Sequence, residues 1–322
     1  MRIGIDIMGG DFAPLETTLG AILAKRELGP SHTLVLIGDE SQTRAIIRDQ
    51  GADESHFEYV NTSQVIGMAE HPTKAFPQKP DSSIVVGFHL LKAGKIDAFA
   101  SAGNTGAMMV GSMLTVKPIP GIIRPCISSI LPKEDGGVGI ILDVGINADC
   151  KPEVLQQFAV LGSIYAENVY HISNPKVGLM NIGEEEEKGN ILTKETHQLL
   201  KQTPHINFIG NVEGRDLFNS RADVIVCDGF TGNVILKEAE SFYTLIKKRG
   251  IHDPYFDRFD YENYGGTPVL GVNGSVIIAH GISNAKAIKN MIHLTMEVVE
   301  AGLSEKIARA LSDLPVSEQV QK

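Results

Sequence analysis

Short apolar, β-branched runs recur along the chain: RIGIDI (2–7), TLVLIG (33–38), DAFASA (97–102), CISSIL (126–131), VGIILDV (138–144), KVGLMNI (176–182), INFIG (206–210), DVIVCD (223–228) and SVIIAH (275–280). Most end in Gly, Asn or Asp. Between several of them apolar residues fall at helical spacing, as in SSIVVGFHLLKAGK (82–95), PEVLQQFAVLGSIYAENV (152–169) and NAKAIKNMIHLTMEVVEAG (284–302). Strands apolar on both faces, alternating with amphipathic helices, predict a largely parallel sheet covered on both sides. CISSIL and VGIILDV are separated only by PKEDGG (132–137), which reads as a hairpin turn, so the sheet is mixed. The expectation is a three-layer α/β/α architecture, one domain spanning 1–322 with two lobes that share a sheet. Prolines gather at Pro72–Pro80 and Pro118–Pro125 and are read as long loops.

Composition narrows the function classes. The 322 residues are 43% hydrophobic and 21% charged, with 33 glycines, which is ordinary globular composition. A net charge of -10 argues against general nucleic-acid binding, which needs a basic face. Three cysteines, Cys126, Cys150 and Cys227, lack metal-ligand spacing and fit a reducing compartment. The N-terminal pattern lacks a signal peptide's apolar core, and no window reaches a membrane span. A cytoplasmic protein is expected.

In such a sheet, ligands bind beyond the carboxyl ends of the strands. The turns there are MGGDFAP, SAGNTG, GINADCKP, IGEEEEKGN, GNVEGRD, DGFTGN and HGISNAK, rich in Gly, Asn, Ser, Thr and Asp. Glycines admit a ligand close to the backbone, and free N–H groups at a helix start favour an anion. In SAGNTG, Ser101, Asn104 and Thr105 could add hydrogen bonds to a phosphate-like group; alternatively Asn104 is simply the helix cap. Asn233 carries the same ambiguity. The four glutamates 184–187 could ligate a metal but read better as a solvated acidic first turn; Lys188, a cation among anion-ready turns, has an evident use. A lone His280 at a strand end is more often structural than catalytic. Cys227, flanked by VIV, reads as a buried strand residue.

Taken together, IDIMGGDFAP, SAGNTGAMM, LDVGINADCKPE, NIGEEEEKGN, GNVEGRDLF, DGFTGNVILK and YGGTPVLGVNG followed by AHGISNAKAIKN resemble, in order from residue 3 to about 292, the signatures of the phosphate acyltransferase family. The resemblance implies a fold similar to isocitrate and isopropylmalate dehydrogenases and to phosphotransacetylase, with two intertwined lobes and usually a homodimer. It implies a reaction in which inorganic phosphate attacks the thioester of a long-chain acyl carrier protein, the acyl phosphate then passing to a membrane glycerol-3-phosphate acyltransferase. No cofactor and no metal is implied, because phosphate is a substrate and the carrier brings its own phosphopantetheine. Lys188 and Asn233 are then the expected main catalytic residues, orienting phosphate and stabilising the oxyanion, with His280 a candidate proton donor to the departing thiolate. Phosphate or substrate contacts are expected from Gly10, Asp11, Ser101, Gly103, Asn104, Thr105, Gly106, Asn147, Asn190, Asp228, Thr231, Ser283 and Asn284.

The chain departs from the family at Phe12, where Asn is common, and at Glu187, where Gly is usual. It departs most after Lys237, where many members carry a longer apolar hairpin and this chain has EAESFYTLIKKRGIHDPYFDRFDYEN. Within that segment Lys247, Lys248, Arg249 and Arg258 are candidate contacts for an acidic carrier, set against a solvated helix end whose bases suit the dipole. Peripheral attachment to a membrane stays open. Other readings are a short-chain acyl-coenzyme A phosphotransferase, a dehydrogenase, for which neither paired metal-binding aspartates nor an adenosine site stands out, and a non-catalytic acyl-binding scaffold.

Overall fold

A computed structural model describes residues 1–312; the last part of the expected 1–322 domain, 313–322, lies outside them. The chain divides into two compact units, one of residues 1–117 with 261–300 and one of residues 118–260 with 301 onward. Numbered in chain order, the first unit holds β1 (Arg2–Asp6), β2 (Thr33–Gly38), β3 (Phe57–Asn61), β4 (Ala98–Ser101), β10 (Thr267–Leu270) and β11 (Ser275–Ile278). Their order is β3-β2-β1-β4-β11-β10, parallel throughout except that β10 runs antiparallel to β11. The second unit holds β5 (Cys126–Pro132), β6 (Val138–Leu142), β7 (Lys176–Met180), β8 (Asn207–Val212) and β9 (Val224–Val226), ordered β5-β6-β9-β7-β8, with only the β5–β6 hairpin antiparallel. Helices α1 (Leu15–Glu27), α2 (Glu40–Asp49), α3 (Pro72–Gln78), α4 (Ser83–Lys92), α5 (Thr105–Gly111) and α9 (Ala285–Glu300) belong to the first unit. Helices α6 (Pro152–Asn168), α7 (Ile191–Gln202), α8 (Gly229–Lys248) and α10 (Leu303–Ser312) belong to the second. The class is the expected one, a mixed, mostly parallel sheet with helices on both sides.

Burial explains why these runs become strands. Ile3, Ile5, Leu34, Ile37 and Phe99 are fully or almost fully enclosed, as are Ile140, Ile141, Val177 and Val224 in the second unit, so both faces of the central strands are covered. Two strands lie outside the expected set. β3 carries Glu58 and Asn61 and sits at a sheet edge, half exposed, so it lacks the apolar run of a central strand. β10 is four residues long and contains Pro268. The loop expected over Pro72–Pro80 is corrected in part: Pro72–Gln78 is helical, because Pro72 stands at the first helical position, where a missing N–H costs nothing, and Ala75 and Phe76 are buried.

The segment after Lys237 combines a largely exposed helix end with a packed aromatic turn. α8 continues to Lys248, and residues 255–259 fold back so that Phe259 packs edge-on against Phe218 and Tyr255, with ring centroids 5.3 and 5.5 Å apart. Among the described residues no helix is long and apolar enough to cross a membrane.

Candidate active site

In the first unit, the turns after β1, β4 and β11 converge on a buried carboxylate that the sequence reading passed over. Asp6, at the end of β1, accepts hydrogen bonds from Ser101 Oγ at 2.6 Å and from the Met8 N–H at 3.0 Å. Ser101 Oγ in turn accepts the Gly103 N–H at 2.9 Å. Burial pushes the Asp6 carboxyl up, against these hydrogen bonds. Gly9 must be glycine here, since a Cβ would stand 2.7 Å from the Gly103 nitrogen and 2.8 Å from Ser101 Oγ. Gly10 takes a positive φ of 107°, and the Asp11 N–H donates to the Gly281 carbonyl at 2.7 Å. Gly10, Asp11, Ser101 and Gly103 are thus brought together with the turn that follows His280.

Asn104 is buried and its side chain is fully committed. Its Oδ1 accepts the Ala107 N–H at 2.9 Å, capping α5, and its Nδ2 donates to the carbonyls of Gly67, Met68 and Glu70 at 3.0–3.2 Å. Ser101 is likewise spent on Asp6. Thr105 is exposed at the first position of α5, and Gly106 packs against Pro72. At the start of α9, Ser283 Oγ donates to the His280 carbonyl at 2.6 Å, and Asn284 caps the helix through Ala287 N–H at 3.0 Å while donating to Glu262 at 2.8 Å. The His280 ring lies tilted against Tyr261, centroids 5.0 Å apart.

In the second unit the same construction recurs around Asp143, which follows β6. Its Oδ1 accepts from the N–H groups of Val144 (2.8 Å) and Ile127 (3.2 Å), and its Oδ2 from those of Ile146 (3.2 Å) and Asn147 (2.6 Å) and from Asn147 Nδ2 (2.9 Å). Burial again raises the carboxyl's pKa. The Asn147 carbonyl receives the Gly229 N–H at 2.7 Å, which docks the start of α8 on this loop. Glycine is required at both contact points. A Cβ on Gly229 would stand 2.7 Å from Asp143 Oδ2, and one on Gly232 would fall on the Asp143 carbonyl. Asp228 caps α8, receiving both the Thr231 N–H and its hydroxyl at 2.8 Å. Asn233 is different: half-buried beside Gly145, it makes a single long hydrogen bond, Nδ2 to the Val144 carbonyl at 3.3 Å.

Lys188 and Asn190 sit in a separate turn of that unit, after β7. The acidic run there does not converge. Glu184 pairs with Arg221 at 2.5 Å and Arg215 at 3.0 Å, and Glu186 with Lys201 at 2.7 Å. Asn190 caps α7 through the Thr193 N–H at 2.9 Å. The Lys188 side chain is exposed and, among the described residues, its ammonium has no ion-pair or hydrogen-bond partner. Of the four carrier candidates, Arg258 spends its guanidinium on the carbonyls of Lys133 (2.9 Å) and Gly137 (2.6 Å), and Lys247 pairs with Asp260 at 3.2 Å, which holds its ammonium pKa up. Lys248 and Arg249 are exposed.

No cysteine is set up as a nucleophile. Cys126 and Cys227 are buried with thiols pushed well up by desolvation, and half-buried Cys150 is pushed up to about 11 by the same cause. Asp6 and Asp143, the buried carboxylates around which these candidate-site turns are built, were not marked from the sequence; the signal was an Asp at or just after the strand end followed by a glycine turn, IDIMGG and LDVGIN.

A family model described as "Fatty acid synthesis protein" matches residues 1–251 and 251–306. The phosphate acyltransferase of Dictyoglomus thermophilum is 47% identical over 333 residues, covering 98% of each chain. Among solved structures, a phosphotransacetylase from Streptococcus pyogenes aligns with a TM-score of 0.65 at 16% identity, covering 97% of this chain and 94% of that one. A 4-hydroxythreonine-4-phosphate dehydrogenase from Klebsiella pneumoniae aligns at 0.57 and 13%, covering 92% and 98%. These two likenesses concern the fold alone.

Proposed function

Because the chain belongs to the phosphate acyltransferase family, an acyltransferase family whose acceptor is phosphate, we propose that its donor is a long-chain acyl-acyl carrier protein and its product an acyl phosphate used for bacterial phospholipid synthesis. A phosphate oxygen attacks the thioester carbonyl carbon, the carbonyl oxygen becomes an oxyanion, the C–S bond breaks, and the carrier thiolate leaves and takes up a proton. Phosphate is already an anion at neutral pH, so the step needs orientation, water exclusion and donors at the oxyanion rather than a strong base. With Cys126 and Cys227 buried and all three thiols pushed up by desolvation, the acyl group has no activated cysteine to pass through.

The observation that carries the reading is Lys188, an unpaired cation among the described residues in a turn whose glutamates Glu184 and Glu186 are neutralised by other bases. Lys188 holds phosphate; Asn233, with one long bond to give up, donates to the oxyanion. Exposed Lys248 and Arg249 are the bases left to meet an acidic carrier. The chain works as a homodimer, and its product passes to a membrane glycerol-3-phosphate acyltransferase. The test is thiol release from palmitoyl-acyl carrier protein and palmitoyl-coenzyme A, with and without phosphate. Phosphate-dependent release that prefers the carrier is expected; activity with coenzyme A alone overturns the donor assignment.

A further inference from the structure

The second unit contains a cavity of about 560 Å³ that the turns described above do not use. One wall is α8, through Ile235, Ala239, Phe242 and Ile246; the others are the segment 214–218 after β8 and the aromatic turn 255–259. Its walls are dry chemistry. The Tyr243 hydroxyl is drawn off to Asp260 at 3.3 Å and the Tyr255 hydroxyl to the Pro132 carbonyl at 3.1 Å, and Glu238 is the one ionisable carboxylate on the lining. Phe242 stands 59% exposed, an apolar ring left uncovered on this lining. The volume lies within the roughly 300–1,000 Å³ typical of small-molecule sites, and such a lining offers a ligand contact area but almost no polar recognition.

The cavity is tied to the Lys188 turn. Glu184, four residues before Lys188, binds Arg215 at 3.0 Å, and Arg215 adjoins Gly214 on the cavity lining. At 100° per residue, Asn233 projects from α8 on a different side from Ile235, Phe242 and Ile246. The Glu184–Arg215 ion pair is thus what links the cavity wall to the turn that carries Lys188, while Asn233 lies across α8 from the cavity.

We propose that this cavity holds the alkyl tail of the acyl donor, so that the 214–218 segment, α8 and the 255–259 turn set the chain-length preference; this rests on the acyl-transfer reading above. An alkyl chain is the occupant whose chemistry matches: it needs no hydrogen bond from the walls, and an acyltransferase must bury one. Each methylene taken out of water strengthens binding by about fourfold, so the cavity discriminates by length.

The test compares thiol release from C16 and C8 acyl thioesters, at saturating phosphate, for wild type, Ala239→Trp and Phe242→Ala. Ala239→Trp fills the cavity and should lower the C16-to-C8 ratio of kcat/KM at least tenfold, while the C8 rate and the KM for phosphate stay within twofold. Phe242→Ala, which enlarges the space and carries no risk of overpacking, should raise KM for C16 and leave C8 nearly unchanged. In parallel, cis-parinaric acid should fluoresce on binding wild type, be displaced by palmitate, and fail to bind Ala239→Trp. Unchanged length profiles in both variants, with wild type active, overturn the cavity assignment. A wild type that binds cis-parinaric acid in this way yet releases no thiol from any donor overturns the acyl-transfer reading and supports the cavity as an alkyl site. Loss of parinarate binding only on dilution to monomer overturns it in favour of an interface between copies.

Discussion

The two glycine turns that open α5 and α8 look alike in sequence and differ in what their side chains have left to give. GNTG (103–106) and GFTG (229–232) each follow a strand that pairs with one whose end carries, or is directly followed by, a buried aspartate, Asp6 or Asp143. Each packs a glycine against that carboxylate, Gly103 or Gly229. In the first turn Asn104 has filled its hydrogen-bonding capacity on a cap and three carbonyls. In the second unit Asn233 holds one bond of 3.3 Å, and Lys188, after the neighbouring strand, holds none among the described residues. A polar side chain that is fully bonded builds the scaffold; one that is not is free to serve a substrate. Composition cannot separate the two, but hydrogen-bond accounting can.

The sharpest way to break this comparison is Lys188→Ala. If the unpaired ammonium serves phosphate, kcat/KM for phosphate falls by about a hundred- to a thousandfold, the scale for losing one transition-state donor, with Tm unchanged because nothing in the fold leans on it. Circular dichroism, a melting scan and thiol release on one preparation decide it; full activity refutes the assignment. Next is Gly232→Ala. Its Cβ would strike the Asp143 backbone, which cannot swing aside as a side chain can, so the expected loss is about 3 kcal/mol or more, seen as a large fall in Tm or in soluble yield. Gly103→Ala, whose Cβ meets Ser101 Oγ at 3.0 Å and Asp6 Oδ2 at 3.2 Å, should cost clearly less.

Much of this was legible in the sequence because it depends on local pattern. Central strands such as RIGID and VGIIL are apolar on both faces, and the PKEDGG hairpin announces itself by its turn residues. Edge strand β3 and proline-bearing β10 escaped because neither has that pattern, and α3 because prolines at a helix start read like a loop. Gly10, Asp11 and the Asn104 turn could be marked as a site from their position after strands. The commitments of individual atoms could not. That Arg258 braces the β5–β6 hairpin across more than a hundred residues of sequence is a tertiary fact with no local signature. The cavity along α8 was hidden for the same reason: its aromatics are scattered through a segment that looks polar.

A paired substitution sharpens the contrast at smaller scale. Asn104→Ala removes a cap and leaves three carbonyls short of a donor, so a stability loss of about 1–2 kcal/mol is expected, with kcat falling little once the protein is held folded. Asn233→Ala should do the reverse, leaving Tm within about a degree while lowering kcat and kcat/KM together by about ten- to a hundredfold, as expected of a donor used in the transition state. Equal effects on Tm would erase the distinction.

The smallest effect separates the aspartate that organises the first turn from ordinary surface acids. Burial raises the Asp6 carboxyl pKa in the folded chain. The folded state therefore holds this proton more tightly than the unfolded state does, so Asp6 favours folding most when protonated, and that contribution is lost as pH rises through its folded pKa. Surface Glu54 and Glu184, held down by Arg44 and Arg221, behave in the opposite sense and lose stability on acidification. Asp6→Asn keeps the shape but reverses one donor toward Ser101, costing about 1–2 kcal/mol. The Tm gap between wild type and Asp6→Asn should then be widest at acid pH and narrow as pH rises through the raised pKa of the folded state, the sign expected of one raised carboxyl. A gap that widens with pH would mean that the Ser101, Met8 and Gly9 hydrogen bonds outweigh burial, and that Asp6 stabilises its turn as an anion.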